Sequence, residues 1–322
     1  MADVDRRLHE QMQSRYEALA PVLRHGTQLG GKRLRPALMM LSGLAVHARR
    51  NAVISGDASA GVPEEVRVMA TVVEMVHTAT LIHDDVLDEA ESRRHVATVN
   101  ARWDNQTSIL LGDYLFAQSY ALAATLPTTI GCRWVGQAAQ AVCEGELRQV
   151  LGREWLEMDE ETYLDIIRGK TAELTRVSCQ LGAHFAGGDD DDIAYLARFG
   201  NDIGIAFQIA DDFLDLWGDD EHVGKTLGTD IKQGKMTLPL LRLLQSEDPQ
   251  VATEARRALR DDPEQRLSAI MPLLRNSDAI RYTREKAEWF RQSAVASLEH
   301  LPQSPARESL RRMADFAIER RF

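Results

Sequence analysis

The sequence predicts an all-α fold, and three observations carry that expectation. Apolar residues recur at three- and four-residue spacing along most of the chain, the period of a helix face. Ala, Leu, Glu, Arg and Gln, all good helix formers, dominate the composition. No segment sustains the period-two alternation of a half-buried strand, so strands are at most minor.

The elements follow in order. Met1 to Glu10 is charged throughout and lacks the apolar run of a secretory signal. The longest apolar stretch, around Pro36 to Val46, contains Ser and Gly and falls far short of a membrane span. A break near 51–62 precedes a helix that starts at Pro63-Glu64-Glu65, with Pro suited to the first helical position and acids in the first turn. It runs through Val66, Met69, Val73, Val76 and Thr80 to about Glu89. Breaks near 92–104 and 127–131 flank a helix carrying Gly112-Asp113, Phe116 and Tyr120. After Gly187-Gly188, Asp189 to Asp192 supply the cap and first-turn acids of a helix reaching about Trp217, so the four-Asp run reads as a helix start rather than a metal site. Further breaks fall near 218–237, 247–249, 260–263 and 301–306. None is long or low in complexity, and no 20- to 50-residue repeat appears. The expectation is a single domain, 1–322, of roughly ten or more helices.

Bulk composition narrows the function. The chain has 322 residues, 44% of them apolar, enough for a large core. A net charge of −11 argues against nucleic acid as a partner, yet a local cluster of Lys and Arg can still hold an anionic substrate. Cys132, Cys143 and Cys179 are scattered and form no CxxC pair, which indicates neither a disulfide framework nor a zinc site and fits a reducing cytoplasm.

Two acidic motifs carry the chemistry. Asp84-Asp85-Val86-Leu87-Asp88 and Asp211-Asp212-Phe213-Leu214-Asp215 lie 127 positions apart (84 to 211), each near the C-terminal end of a long apolar helix. Asp84 and Asp88 share a face, as do Asp211 and Asp215. A like-charged pair costs about 4 kcal/mol at ~4 Å and an effective dielectric near 20. The helix dipole also disfavours anions at that end. Six carboxylates so placed call for something positive between them. Hard oxygen donors with no His or Cys cluster suggest Mg²⁺ bridging carboxylates and substrate phosphates. The competing reading is a pair of solvated acidic surfaces, which the embedding of each motif in apolar sequence disfavours.

At this point the chain resembles the trans-type isoprenyl diphosphate synthases, or polyprenyl synthetases, most of all their long-chain members. The likeness runs from about Gly30 to Lys235. It rests on Gly30-Gly31-Lys32-Arg33-Leu34-Arg35-Pro36, the run Glu74 to Asp85, Arg93-Arg94, Gly112-Asp113, Glu144-Gly145-Glu146 with Gln149, Gly169-Lys170-Thr171, Phe207 to Asp212, and Gly224-Lys225 to Asp230 with Lys235. One departure is Trp103-Asp104-Asn105, where the family has an aromatic followed by Gly-Asn. The resemblance implies an isoprenoid-synthase-type helical bundle with a deep central cavity, usually in a homodimer. It implies that isopentenyl diphosphate is added to an allylic diphosphate such as farnesyl or geranyl diphosphate.

It also implies roles. Asp84 and Asp88 would bind two Mg²⁺ ions and Asp211 a third, with Asp85, Asp212 and Asp215 as ligands or their supports. Arg93, Lys170, Lys225 and Lys235 would clamp the allylic diphosphate. Lys32, Arg35, His77 and Arg94 would hold isopentenyl diphosphate, Arg matching phosphate oxygens with its fork. Arg33 is expected to face outward. Thr171 and Gln208 would face the carbocation. The leaving diphosphate would accept the proton, so no dedicated base is needed. Glu146 and Gln149 share a helix face and are open to a supporting or a packing role.

Product length is set where the growing chain extends along the helix before Asp84. Ala79 lies about 7.5 Å down that helix, where short-chain synthases resemble one another in carrying a bulky aromatic. Here Ala79 and Thr80 are small, Met75 lies a turn deeper, and Phe116 with Tyr120 is a candidate floor or simple core. The expected product is C30–C40, with C20 geranylgeranyl diphosphate as the second reading. Such a product leaves water at a gain of ~0.8 kcal/mol per methylene, so release is slow and a transient membrane contact is expected. A terpene-cyclase-type enzyme on the same fold is the rival activity, and a non-catalytic partner subunit the rival class.

Overall fold

The computed structural model describes residues 1–28, 31–54, 61–151, 155–217 and 228–319. The helices, numbered in order among these residues, are α1 (Ala2–Gln11), α2 (Ala20–Gln28), α3 (Leu34–Ile54), α4 (Glu64–Leu87), α5 (Val99–Arg102), α6 (Asn105–Ala123), α7 (Ile130–Leu151), α8 (Glu160–Ile167), α9 (Glu173–Phe185) and α10 (Asp190–Trp217). They continue as α11 (Thr229–Lys232), α12 (Leu238–Leu244), α13 (Pro249–Arg260), α14 (Pro263–Arg275), α15 (Ala279–Ser297) and α16 (Pro305–Ile318). The all-α expectation holds. Among the described residues the one sheet is a pair of two-residue strands, β1 (Ser92–Arg93) and β2 (Val96–Ala97), with Arg93 opposite Val96.

Side-chain caps explain why the breaks were visible. Asp248 and Asp262 accept from the backbone N–H groups of Gln250 and Glu264, at 2.8 and 2.9 Å, and a Pro begins each of the helices they open. Asp104 caps α6 through Thr107 N at 2.6 Å, so the Trp103-Asp104-Asn105 departure is a working helix start. Asp189 accepts from Asp192 N at 2.8 Å, as a helix start requires.

Contacts divide the chain into two compact units. The first contains Met1–Ala139, Leu174–Ala197 and His300–Leu310. Its centre is α4, which buries residues all round, Met69, Val72, Met75, Val76, Ala79 and Ile82 among them. Such a helix is a rigid spine on which Glu74, His77 and the first acidic motif are mounted. The second unit contains Gln140–Glu173, Arg198–Glu299 and Arg311–Phe322. Its core joins Ile205 and Ile209 of α10 to the leucines of α12, with Ala255 and Leu259 of α13, Ile270 and Leu274 of α14, and Phe290 of α15. No helix among the described residues is long and apolar enough to cross a membrane.

Candidate functional site

In the first unit the Asp84–Asp88 motif ends α4. Asp88 is the C-cap, Glu89 turns left-handed (φ 49°), and Ala90 N donates to Asp85 O at 2.9 Å while Glu89 N donates to Val86 O at 3.3 Å. This is a Schellman ending, normally completed by Gly. The chain then makes the β1–β2 hairpin, whose two loop residues, Arg94 and His95, both have positive φ (54° and 65°), as a type I′ turn demands. Each left-handed non-glycine costs about 1–2 kcal/mol. The four described non-glycine residues with positive φ are Arg33, Glu89, Arg94 and His95, and all belong to the two segments beside the first motif. Strain so concentrated marks a functional site.

The hairpin delivers the two arginines. Arg93 donates from Nε to Asp85 Oδ1 at 2.8 Å, with a second nitrogen at 2.7 Å, and Asp85 is buried. The Arg94 guanidinium lies against Gly31, where a Cβ would collide with it. Arg33, Arg35, Arg93 and Arg94 all lie near enough to His77 for their charges to act on it. Burial first, then the charges of Arg35, Arg94, Arg93 and Arg33, hold the imidazole well below its usual pKa, so it is neutral at pH 7. The Arg35 guanidinium is pushed down to about 10, by burial and then by Arg94, against the opposing charge of Glu74. Arg35 Nε is shielded from solvent and has no hydrogen-bond partner among the described residues. Such a cluster asks for an anion. Lys32 is exposed beside it.

Arg33 corrects an expectation. It does not face outward: its guanidinium donates to Glu74 Oε1 at 2.8 Å and to Asp5 Oδ1 at 3.0 Å. Glu74 is only 2% exposed, and a buried carboxylate on an apolar helix persists when a cation meets it. Glu74 had no assigned role in the sequence, although a lone acid in an apolar run is itself a signal of a buried pair.

On the same helix Ala79 and Met75 are fully buried, and Thr80 donates to His77 O at 2.8 Å. The Phe116 ring stands 6.0 Å from that of His83, level with the acidic motif, while Tyr120 is 36% exposed.

In the second unit, α8 runs into a π-helical turn, Arg168–Ala172, that carries Lys170 and Thr171. π-turns recur at functional sites because they re-aim side chains. Gly145 and Gly169 let α7 approach this turn: a Cβ on Gly145 would lie 2.9 Å from Lys170 N, and one on Gly169 2.9 Å from Ala141 O. Lys170 Nζ pairs with Glu146 at 2.5 Å and donates to Gln149 at 3.3 Å, which gives both α7 residues a holding role. Thr171 donates to Gln208 Oε1 at 2.7 Å, Gln208 Nε2 donates to Asp212 Oδ1 at 2.7 Å, and Tyr163 donates to Asp212 Oδ2 at 2.6 Å. Asp212 is buried, and its carboxyl is pushed up to about 8, by burial first and then by Asp230, while the bonds from Tyr163 and Gln208 oppose the rise. The Tyr163 phenol is held well above its usual pKa by burial and by Asp212.

Asp215 accepts from Thr229 N at 3.3 Å and Asp230 N at 3.2 Å, capping α11. Lys235 Nζ lies 4.0 Å from Asp230. Asp211 is half-buried, as are Asp84 and Asp88. Lys225 lies outside the described residues. In the sequence Tyr163 had no assigned role, and Asp230 entered only as part of a motif. The position of Tyr163, two turns before Lys170, was its one available signal.

The oxygens of Asp212 and Asp215 are engaged by side-chain or amide donors, and Asp85 is held by Arg93. Half-buried Asp84, Asp88 and Asp211 are hard oxygen donors suited to Mg²⁺. Among the described residues a separate group, Asp189, Asp192 and His300, brings ligand atoms within 4.8 Å of one another. The Arg49 guanidinium is bonded to Asp192 and, at 2.7 Å, to His300 Nε2, so a fixed cation already serves this group.

Residues 16–273 match the family model described as Polyprenyl synthetase. The chain is 34% identical over 319 residues to heptaprenyl diphosphate synthase component 2 of Bacillus subtilis, covering 99% of this chain and 87% of that one. It is 32% identical over 321 residues to octaprenyl diphosphate synthase of Escherichia coli, covering 99% and 95%. Among solved structures, the polyprenyl synthase of Caulobacter crescentus, complexed with calcium and isoprenyl diphosphate, superposes with a TM-score of 0.88 at 33% identity, covering 100% of this chain and 95% of that one.

Proposed function

The chain belongs to the polyprenyl synthetase family and is a prenyltransferase that condenses isopentenyl diphosphate with an allylic diphosphate to give a longer all-trans polyprenyl diphosphate, and on that premise we propose how its side chains divide the work. The observation that carries the proposal is the set of four arginine charges that act on a neutral His77, two turns before Asp84.

In this reading Lys32, Arg35, Arg94 and His77 bind isopentenyl diphosphate, which must keep its carbon–oxygen bond. Arginine forks grip the phosphate oxygens, and neutral His77 donates one N–H without adding a titrating charge. Arg93, Lys170, Lys225 and Lys235 hold the allylic diphosphate, and Arg93 also fixes Asp85. Asp84, Asp88 and Asp211 would hold three Mg²⁺ ions, which when bound supply positive charge to the departing diphosphate. Asp85, Asp212 and Asp215 keep those three in place.

The allylic carbon–oxygen bond breaks and its electron pair leaves with the diphosphate. The Thr171 hydroxyl oxygen and the Gln208 carbonyl present negative dipoles to the carbocation without offering a strong nucleophile. The alkene of isopentenyl diphosphate attacks, a carbon–carbon bond forms, and the freed diphosphate takes the proton that restores the double bond. Ala79, Thr80, Met75 and Phe116 bound the room for the growing chain, and we place the product at C30–C40. We read the working form as a cytoplasmic homodimer of one 322-residue catalytic domain that meets a membrane only as product leaves.

The test is to incubate purified protein with isopentenyl diphosphate, farnesyl diphosphate and Mg²⁺ and weigh the products. A ladder ending between C30 and C40 is expected. Hydrolysed or cyclised farnesyl products alone would sink the proposal.

A further inference from the structure

We propose that Arg33 is a positioning residue, clamped between Glu74 and Asp5 so that Lys32 and Arg35 on either side of it hold the geometry that binds isopentenyl diphosphate. The proposal rests on the assignment of that pocket made above. Its starting point is a division of labour inside one short loop. Arg33 and Arg35 are two positions apart, yet their surroundings are opposite. Both arms of the Arg33 fork end on carboxylates, Glu74 at 2.8 Å and Asp5 at 3.0 Å. Arg35 makes no ion pair among the described residues, and its Nε is buried without an acceptor. One arginine is satisfied by the protein, and the other is left for a ligand.

The backbone explains why a clamp is needed. Arg33 has φ 53°, a conformation that L side chains rarely adopt. Its carbonyl accepts from Ala37 N at 3.0 Å, so this left-handed residue is also the first support of α3. Unclamped, residue 33 would relax toward ordinary φ, and residues 32 and 35 would turn with it. The clamp reaches two other elements: Glu74 stands on the buried spine α4, one turn before His77, and Asp5 on α1. Glu74 also opposes the shift of the Arg35 charge. A substrate loop is thereby tied to the helix that bears the rest of its pocket. The N-terminal helix gains a role that its charged, unremarkable sequence does not suggest.

The experiment measures KM for each substrate, kcat, and direct binding of radiolabelled isopentenyl diphosphate, in Arg33→Ala, Arg33→Lys, Glu74→Gln, Asp5→Ala and, as the check on the pocket, Arg35→Ala. Loss of one charge-assisted tie corresponds to about tenfold in affinity. Arg33→Ala and Glu74→Gln should raise KM for isopentenyl diphosphate by about that factor. KM for farnesyl diphosphate and kcat should move far less. Arg33→Lys should recover part of the loss, since a point charge meets one carboxylate but not both. Asp5→Ala, which removes the less buried partner, should give about a twofold rise. A general loss of folding would not split the two KM values. If Arg35→Ala weakens binding and Arg33→Ala leaves it within about twofold, the clamp is refuted and the pocket stands. If neither changes binding, the pocket assignment fails first. Should Arg33→Ala and Glu74→Gln not fold, unchanged KM in both Arg33→Lys and Asp5→Ala overturns the clamp.

Discussion

Replacing Tyr163 by Phe removes a single oxygen, 2.6 Å from Asp212 Oδ2, and leaves a buried carboxyl short of one donor. Such a loss costs about 1–3 kcal/mol of stability. It also removes a bond that opposes the rise of the Asp212 carboxyl, now at about 8, so that carboxyl moves higher still. The sign of the pH effect follows. An acid held above its unfolded value is neutral in both states at low pH and contributes nothing there. As pH rises from about 4 toward 8 the unfolded chain releases a proton that the folded chain keeps, so stability falls, and above about 8 the full penalty is present. With metal chelated, urea unfolding should therefore give lower stability at pH 8 than at pH 5, and Asp212→Asn should flatten that slope. The catalytic effect runs outward along the hydrogen bonds. Asp212 Oδ1 orients the Gln208 amide, and Gln208 Oε1 orients the Thr171 hydroxyl. With the anchor loosened, two oxygen dipoles lose their fixed direction, worth about tenfold in kcat, with both KM values little changed. Steady-state kinetics of Tyr163→Phe against isopentenyl and farnesyl diphosphate checks this. A kcat within about twofold of the parent, beside the expected loss of stability, would show that the chain of bonds only builds the core.

Three further outcomes follow from the packing. Gly145→Ala puts a Cβ 2.9 Å from Lys170 N and 3.2 Å from Ile166 O, so it should cost about 1–3 kcal/mol and lower kcat by shifting the π-turn, whereas Gly61→Ala, with no neighbour within 4 Å among the described residues, should do neither. His95→Gly relieves a left-handed residue in an exposed turn and should raise stability by about 1 kcal/mol in thermal unfolding; an unchanged midpoint would mean that the turn stores no strain. Ala79→Phe enlarges a fully buried position on α4 and should shorten the product on thin-layer chromatography, at about 1–3 kcal/mol in stability; an unaltered product ladder would remove Ala79 from control of chain length.

What the sequence made legible, and what it hid, differ by the distance over which a residue finds its partner. Helices announce themselves through neighbours three and four positions away, so α4, α10 and the starts capped by Asp248, Asp262 and Asp189 were readable. The acidic motifs were readable for the same reason, because a spacing of four repeats the helix period. Arg33 was not. Its outward placement was a fair reading of a cation in a glycine-rich loop, and it failed because the partner, Glu74, lies 41 positions along the chain. Tyr163 was overlooked likewise, since only the fold brings it to Asp212, 49 positions away.

The same rule applies within the six motif aspartates, which look equivalent on paper. Asp85 is claimed by Arg93 eight residues on, Asp212 by Tyr163 and Gln208, and Asp215 by the amides that open α11. These attachments set the orientation of Asp84, Asp88 and Asp211 through the shared helices, since a helix fixed at one carboxylate is fixed at the residue beside it. At Asp85, Asp212 and Asp215 the motif builds scaffold. Substitutions test the attachments seen: at these three positions they should lower unfolding stability even with metal chelated, and at Asp84, Asp88 and Asp211 they should abolish turnover. Unchanged metal-free stability after substitution of Asp85, Asp212 and Asp215 would show that these attachments hold nothing in place.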